Sequence, residues 1–368
     1  MMASKVYFTD LHTKHGHNLL TKFENLFKKA GIDELSFENK FTAIKIHFGE
    51  TGNLAYIRPN YTKVLSDYIR SKKGRPFLTD CNTLYPGSRK NALEHLDTAY
   101  QNGFNPFVTG CNVIIADGLK GTDEALIKID LKHVKEAKIG HAIADSDIII
   151  SLNHFKGHVS TGMGGAVKNI GMGSGSRAGK MEMHSAGKPE VKKEKCRGCF
   201  TCIKSCAHDA ISEVYGKAYI NHDYCTGCGR CIGSCLFDAI RPSHDETNEI
   251  LSEKMAEYAY AVLKDKQHFH ISFVTDISPY CDCHSFNDVP IVDDIGIFAS
   301  FDPVALDKAC ADAVNEGIVI KGSLLDKNRK MKDNLTTVNP STDWIHALQY
   351  ASDIGLGSMQ YDLIKLDK

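Results

Sequence analysis

The sequence lacks both a long hydrophobic run and an excess of charge of either sign. Its 44 lysines and arginines are matched by 45 aspartates and glutamates, which gives a formal net charge of −1. This balance excludes the basic surface typical of nucleic-acid binding, so we expect no nucleic-acid partner. No apolar stretch approaches the roughly 20 residues of a transmembrane helix, and residues 1–8 lack the apolar centre of a secretion signal. We therefore expect a cytoplasmic protein with no membrane partner.

Cysteine, by contrast, is abundant, with 13 residues. Eight of them form two copies of the pattern C-x₂-C-x₂-C-x₃-C, at Cys196, Cys199, Cys202 and Cys206 and again at Cys225, Cys228, Cys231 and Cys235. Both copies continue to the same ending, Asp-Ala-Ile. The spacing is typical of bacterial-type ferredoxins with two clusters. It predicts a protein that transfers electrons through two [4Fe–4S] clusters.

The order of the cysteines also predicts which of them share a cluster. Three closely spaced thiolates wrap one cluster, and the fourth points at the other cluster. We expect one cluster on Cys196, Cys199, Cys202 and Cys235, and the other on Cys225, Cys228, Cys231 and Cys206. Structural zinc is an alternative, but four tetrahedral ligands do not require this repeated spacing. Disulfides are not expected in a reducing cytoplasm.

The cysteine-rich stretch is predicted to be a small domain inserted into a larger one. Residues 188–245 would form a ferredoxin-like 2[4Fe–4S] domain, and residues 1–187 and 246–368 one discontinuous α/β domain. On both sides, short β-branched runs alternate with amphipathic segments, which favours a mostly parallel sheet layered with helices. The predicted strands are 42–48, 77–80, 112–116, 147–152, 268–275 and 296–300, and the predicted helices are 18–29, 59–72, 91–102, 249–263 and 304–314.

Polar residues follow several predicted strands, at the edge where α/β sheets bind their ligands. We expect a pocket there for a small-molecule substrate or another unidentified ligand, lined by Lys45, His47, Cys81, His158 and Asn169. His154, Lys168 and Cys283 are the candidate catalytic residues in this pocket. The four-residue spacing of His154 and His158 would suit a metal-binding helix, but Gly157 favours a loop.

A further pair of cysteines stands outside the repeats. Cys281, Cys283 and His284 could bind an additional metal ion, because thiolate and imidazole suit soft and borderline metals. One of the thiolates could instead act as a nucleophile or as a redox group near a cluster. Inert thiols on a surface loop are the third alternative.

Seven glycines between residues 162 and 179 favour a cradle for phosphate or carboxylate. A P-loop is excluded because Ser174 and Met181 occupy two of its required positions, and the dinucleotide fingerprint fits only loosely. The candidate anion contacts are Lys168, Asn169, Arg177 and Lys180. A flexible hinge leading into the insertion is the alternative.

Five segments resemble a known family. They are 44–50 (IKIHFGE), 80–85 (DCNTLY), 164–172 (GGAVKNIGM), 294–297 (DIGI) and 300–307 (SFDPVALD). They resemble the uncharacterised Fe–S center proteins, a domain-of-unknown-function family that often carries a ferredoxin-like insertion. The resemblance implies the inserted domain and a bacterial or archaeal cytoplasmic setting, and it implies no particular reaction.

These patterns lead to one favoured hypothesis and two alternatives. In the favoured hypothesis a soluble redox partner protein exchanges electrons with the two clusters, which feed a redox site in the α/β domain. If the protein is an enzyme, it is then a ferredoxin-type oxidoreductase. The alternatives are a non-catalytic electron carrier with a ligand-binding domain, and a metal-handling protein that uses the Cys281/Cys283 loop.

Overall fold

A computed structural model describes residues 3–85, 87–184, 188–242, 246–328 and 333–367. Within these residues the chain forms sixteen strands: β1 Ser4–Thr9, β2 Phe41–Lys45, β3 Arg75–Asp80, β4 Asn112–Ile115, β5 Glu124–Lys128, β6 Glu136–Gly140, β7 Ile148–His154, β8 Lys156–His158, β9 Gly162–Gly164, β10 Pro189–Val191, β11 Ile211–Val214, β12 Lys217–Ile220, β13 Ile240–Pro242, β14 Gln267–Val274, β15 Gly296–Ser300 and β16 Tyr361–Lys365.

The same residues form fourteen α-helices: α1 Leu19–Lys29, α2 Pro59–Ser71, α3 Ala92–Gln101, α4 Pro106–Thr109, α5 His141–Ala144, α6 Ala166–Ser174, α7 Arg177–His184, α8 Thr201–Ser205, α9 Arg230–Ser234, α10 Asn248–Leu263, α11 Pro303–Glu316, α12 Leu324–Asn328, α13 Asn334–Val338 and α14 Trp344–Asp353. None of the helices in these ranges combines the length and the hydrophobicity needed to cross a membrane.

Eight strands form one large sheet in the order β16-β1-β15-β14-β7-β2-β3-β4. Neighbouring strands run parallel except where β15 lies antiparallel to β1 and β14. The register places Ile150 of β7 opposite Ile44 of β2 and Phe269 of β14. This arrangement confirms the predicted α/β class, and all six predicted strands belong to the sheet.

Helices cover both faces of the sheet and create two hydrophobic clusters. Along β7, Ile148 and Ile150 enter one cluster and Ile149 enters the other, because successive side chains of a strand point to opposite faces. Phe23 of α1 and Leu65 of α2 belong to the first cluster. Helices α6, α10 and α11 supply the second. A central strand buried on both faces reads as a continuous apolar run, as β7 does.

Local signals set the starts of several helices. The Asn18 side chain accepts a hydrogen bond from the Thr21 amide and caps α1. Pro59 and Pro303 occupy the first turns of α2 and α11. Backbone N–H groups in a first turn have no acceptor within the helix, so proline costs no hydrogen bond there. Asp302 caps α11 by accepting two amide hydrogen bonds of its first turn. The five predicted helices accordingly have ends within two residues of those observed.

Strands β1 and β16 lie outside the predicted set. They pair in parallel at one edge of the sheet, with Val6 opposite Leu363. Every residue of β16 is exposed or only partly buried. An edge strand without a buried face carries little of the hydrophobic pattern by which strands are recognised.

The glycine-rich segment 162–179 is mostly helical and does not form the flexible hinge that was the alternative prediction. It contains β9, α6 and the first turn of α7. A Cβ atom at Gly171 would collide with the carbonyl group of Met255, and one at Gly179 with the carbonyl oxygen of Lys138. Glycine at these positions therefore allows α6 to pack closely on α10 and α7 on β6.

The described part of the cysteine-rich segment contributes strands to two small sheets instead of the large one. β10 and β13 pair antiparallel with Pro189 opposite Pro242, so the chain enters and leaves at adjacent points. β11 and β12 form a hairpin, and a separate hydrophobic cluster surrounds the cysteines. The limits at 188 and 245 stay predictions, and residues 185–187 and 243–245 lie outside the described residues.

Candidate functional site

The two cysteine runs form two separate groups of four sulfurs. One small cavity is lined by Cys196, Cys199, Cys202 and Cys235, and another by Cys206, Cys225, Cys228 and Cys231. The fourth cysteine of each run thus lies with the first three of the other run. All 13 cysteines fall within the described residues and are free thiols. Such all-sulfur donor sets suit an iron–sulfur cluster or zinc.

The Asp-Ala-Ile ending shared by the two runs has a structural function at these cavities. Asp209 and Asp238 adopt positive φ angles of 49° and 50°, which turns the chain back toward the preceding cysteine. The following amide then donates a hydrogen bond to that sulfur. These distances are 3.4 Å from Ala210 N to Cys206 Sγ and 3.3 Å from Ala239 N to Cys235 Sγ. Amides aimed at sulfur are one means by which proteins tune a cluster's potential.

A larger cavity of about 670 Å³ opens at the carboxyl ends of β2, β3 and β7. Among the residues predicted to form a pocket, an active site or a metal site, it is lined by Lys45, His47, Cys81, His154, His158, Lys168, Asn169, Cys283 and His284. Cys281 is buried beside it. The residues meet because parallel strands end at one edge of the sheet, where ligands of α/β proteins bind.

Buried ion pairs fix one side of the cavity. Lys45 Nζ lies 2.9 Å from both Asp80 Oδ1 and Asn169 Oδ1. Burial lowers the pKa of Lys45, although Asp80 opposes the shift. Burial alone would raise the pKa of Asp80, but Lys45 and nearby histidines hold it below its ordinary value. Arg89 Nε similarly pairs with Glu50 Oε2 at 3.0 Å. These cations are therefore compensated before any ligand binds.

His154 is held by two acceptors, which favours a positioning role over the predicted catalytic one. Its Nδ1 lies 3.0 Å from each carboxylate oxygen of Asp282, and its Nε2 lies 2.8 Å from the carbonyl oxygen of Thr275. Lys156 Nζ lies 3.2 Å from the same carboxylate. With both ring nitrogens engaged, His154 has no free atom for a substrate or a metal ion. It instead anchors Asp282, the residue between Cys281 and Cys283.

Cys281 has the surroundings of a stabilised thiolate. Its sulfur accepts hydrogen bonds from Lys168 Nζ at 3.2 Å and from the Cys283 amide at 3.4 Å. A hydrogen bond from the Cys283 side chain lowers the pKa of Cys281 well below its ordinary value, against burial and with help from Lys168 and His158. The same bond raises the pKa of Cys283. Burial would lower the pKa of Lys168, but the Cys281 charge outweighs it and raises that pKa.

His158 completes this group, and its tautomer argues against a metal ion. One nitrogen of His158 and the sulfurs of Cys281 and Cys283 lie within 4.8 Å of one another. His158 Nδ1 accepts hydrogen bonds from the amides of Ser160 and Thr161, each at 3.1 Å. Burial lowers the pKa of His158 to about 4, so the neutral ring carries its proton on Nε2. In a metal-binding histidine the nitrogen facing the metal carries no proton, and the other ring nitrogen donates its N–H group to a neighbouring acceptor.

His284, predicted as the third metal ligand beside Cys281 and Cys283, lies outside this group. Its backbone amide donates to the Cys281 carbonyl oxygen at 3.0 Å, and its ring stacks on Phe286 with the centroids 5.3 Å apart. The imidazole grouped with the two sulfurs is that of His158. Sequence adjacency therefore pointed to a different histidine from the one that the fold brings to the sulfurs.

The cysteine-rich segment packs against one wall of the large cavity. Leu84 lines this cavity and also belongs to the hydrophobic cluster that contains cysteines of both runs. Arg177 of α7 is fully buried, and a side chain at Gly229 or Gly233 of the second run would collide with it. Among the described residues, Nε and Nη1 of Arg177 have no hydrogen-bond partner. A buried cation thus lies at the junction, directly against the second cysteine run.

Two residues that shape the cavity carried little sequence signal. Arg89 lies in an irregular loop, with no motif around it to indicate its contact with Glu50. Asp307 lies on α11 and accepts hydrogen bonds from the amides of Ala166 and Val167, at 2.6 and 2.9 Å, at the start of α6. An acidic residue on an otherwise apolar helix face was the only signal for Asp307.

The fold and the two cysteine groups define a cysteine-rich α/β protein whose ligand cavity adjoins the cysteine segment. A protein-family model described as "Domain of unknown function (DUF362)" matches residues 42–312, and the chain belongs to this family. A comparison with curated proteins finds no match.

Two solved structures share a distant likeness with the chain. The lactate racemase apoprotein from Thermoanaerobacterium thermosaccharolyticum is 12% identical, with a TM-score of 0.37; the match covers 74% of this chain and 51% of that one. A structural-genomics target from Thermotoga maritima is 10% identical, with a TM-score of 0.40; the match covers 83% of this chain and 60% of that one. The chain thus spans between half and two thirds of each.

Proposed function

We propose that this protein is a cytoplasmic iron–sulfur protein that delivers electrons to a redox site in its large cavity, as a ferredoxin-type oxidoreductase. The two groups of four cysteines would hold two [4Fe–4S] clusters, which supply one-electron chemistry when bound. The observation that carries the proposal is the shared wall, because Leu84 lines the cavity and packs with the cysteines. A soluble redox partner protein would exchange electrons with the exposed side of the cysteine-rich segment.

The division of the cysteines supports clusters over zinc. Each cavity combines three cysteines of one run with the last cysteine of the other. Two-cluster ferredoxins exchange their fourth ligand in this way. Zinc sites require only four tetrahedral ligands, so they do not call for this particular exchange.

The charges that line the cavity support a small anionic substrate. Asp80, Glu50 and Asp282 compensate three of the cations. Lys180 differs, since its Nζ donates to the Gly175 carbonyl oxygen at 2.6 Å and forms no ion pair among the described residues. A largely buried cation whose hydrogen bonds go to carbonyl oxygens favours a ligand that brings negative charge, such as a carboxylate or a phosphate.

The tautomer of His158 weakens the metal-handling alternative. Delivery of a labile ion through Cys281 and Cys283 would need a third ligand with a free lone pair facing the sulfurs. His158 instead presents its N–H group when Nδ1 accepts from the Ser160 and Thr161 amides. The loop is therefore better suited to stabilising sulfur charge than to binding a metal ion.

Metal and sulfide analysis of protein purified without oxygen tests the proposal. We expect about eight irons per chain, and EPR signals of reduced [4Fe–4S] clusters after addition of dithionite. Cys231→Ser should lose about half of the iron, since it removes a ligand of one cluster. Cys310→Ser is the matched control, because Cys310 is buried in the α/β core, and it should keep all of the iron. Colourless protein that contains stoichiometric zinc would contradict the proposal.

A further inference from the structure

We infer that Cys281 and Cys283 form a redox-active dithiol that opens and closes as a disulfide at the wall of the large cavity. The inference rests on the proposed function, which supplies single electrons, and it names the group that collects them in pairs. Neither the family match nor the solved structures assign a role to these cysteines. Three features carry the inference: the proximity of the sulfurs, the rigidity of their loop and the donors around Cys281.

The two sulfurs are close enough to react. They lie within 4.8 Å of each other, and the Cys283 amide donates to the Cys281 sulfur at 3.4 Å. A disulfide requires the sulfurs to approach to about 2.05 Å, which rotation of the side chains can supply when the Cβ atoms face each other. Cys283 lines the cavity and is partly exposed, whereas Cys281 is buried behind it. One sulfur is thus accessible to a substrate and the other is shielded.

The loop is fixed by the residue between the two cysteines. The Asp282 side chain is fully buried, and it accepts hydrogen bonds from His154 at 3.0 Å and pairs with Lys156 at 3.2 Å. This anchor holds the intervening side chain in place while the two sulfurs lie within 4.8 Å of each other. It explains why a buried aspartate and a histidine with no free nitrogen lie beside a ligand cavity.

The donors around Cys281 suit it as the sulfur that carries the negative charge. Lys168 Nζ donates to this sulfur at 3.2 Å, and the proton on His158 Nε2 is available for the same purpose. Reduction of the disulfide breaks the bond between the two sulfurs and consumes two electrons and one proton. The products are the Cys281 thiolate and the Cys283 thiol, and the proton resides on the Cys283 sulfur. Two one-electron clusters can supply the electron pair.

Differential alkylation followed by mass spectrometry tests this inference on the holoprotein. After oxidation with diamide and unfolding in denaturant, we expect Cys281 and Cys283 to resist iodoacetamide, and the peptide that contains them to be lighter by two hydrogens. Reduced methyl viologen, a one-electron donor, should restore labelling of both cysteines with the uptake of two electrons. Cys283→Ser should leave Cys281 unable to form the intramolecular disulfide. Cys310→Ser should behave as the unaltered protein.

The outcomes separate this inference from the proposed function. If iron analysis and EPR show two clusters but Cys281 and Cys283 are labelled equally under all conditions, the dithiol is refuted and the electron-transfer function stands. If no clusters are found, the inference fails together with the function on which it rests. Protection by a stoichiometric metal ion that is lost on Cys281→Ser would replace the dithiol with a metal site. A viologen-reversible disulfide supports it.

Discussion

The substitution Lys168→Met should weaken the stabilisation of the Cys281 thiolate, leaving the contributions of Cys283 and His158. The ammonium group lies 3.2 Å from the sulfur. At that separation, with an effective dielectric constant of about 20, the attraction is worth about 5 kcal/mol. Loss of this attraction should raise the pKa of Cys281 toward its ordinary value. Water that enters the space left by the ammonium group solvates the sulfur and offsets part of the loss.

Peptide-resolved alkylation across a range of pH measures this shift. Burial slows the labelling of Cys281 at every pH alike, whereas the thiolate fraction changes with pH, so the midpoint of the rate against pH still reports the pKa. In the unaltered protein Cys281 should label at a pH well below that of an ordinary cysteine. In the Lys168→Met variant the midpoint should move to higher pH. Lys180→Met is the control, because it removes a cation from the same cavity without removing a hydrogen bond to Cys281.

An unchanged midpoint in Lys168→Met would refute the electrostatic reasoning. It would mean that the Cys283 side chain and His158 alone set the charge of the sulfur. A shift of the same size in Lys180→Met would also count against it, since the effect would then depend on the total charge of the cavity. The explanation requires that direct contact between Nζ and Sγ determine the result.

Three other substitutions have expected outcomes. Arg177→Met should lower the potential of the cluster held mainly by the second run, measured by EPR-monitored titration, because a buried positive charge favours the reduced form. Asp307→Asn should destabilise the fold by about 1–3 kcal/mol in denaturant titrations, since an amide N–H would face an amide of α6; exposed Asp326→Asn should not. Burial lowers the pKa of His95 to about 3 from 6.5. Its neutral ring therefore contributes stability that is complete above pH 6.5 and is lost as the pH falls toward 3. The loss is on the order of 5 kcal/mol, and His95→Phe should flatten this dependence.

The central sheet could be predicted because its buried strands appear in the sequence as short runs of apolar residues. Ile148, Ile149 and Ile150 form an apolar run that only a doubly covered strand buries on both sides. Polar residues that follow such runs, Lys45 and His154 among them, then meet at one edge by topology. The grouping of the eight cysteines of the two runs likewise follows from a spacing that has a physical reason.

The chemistry of the cavity could not be predicted in the same way. The contact between His158 and Cys281 joins residues far apart in the chain, and the proton position on His158 depends on backbone amides that only the folded loop presents. The glycine pattern is ambiguous because close helix packing and anion binding require the same residue type. The contact of Arg177 with the second cysteine run depends on how the cysteine-rich segment packs against the α/β part of the chain. Local sequence patterns do not predict such packing.

The adjacency of Pro189 and Pro242 has a consequence for how this protein could have arisen. The cysteine-rich segment begins and ends in paired strands, and its described strands do not join the large sheet. Such a segment can be gained or lost by a single genetic event. The ancestral fold would keep its large sheet and lose only the two groups of four cysteines. Such a deletion would uncover Leu84 and Met181, which pack against the cysteines. A relative without the segment should carry polar residues at those two positions.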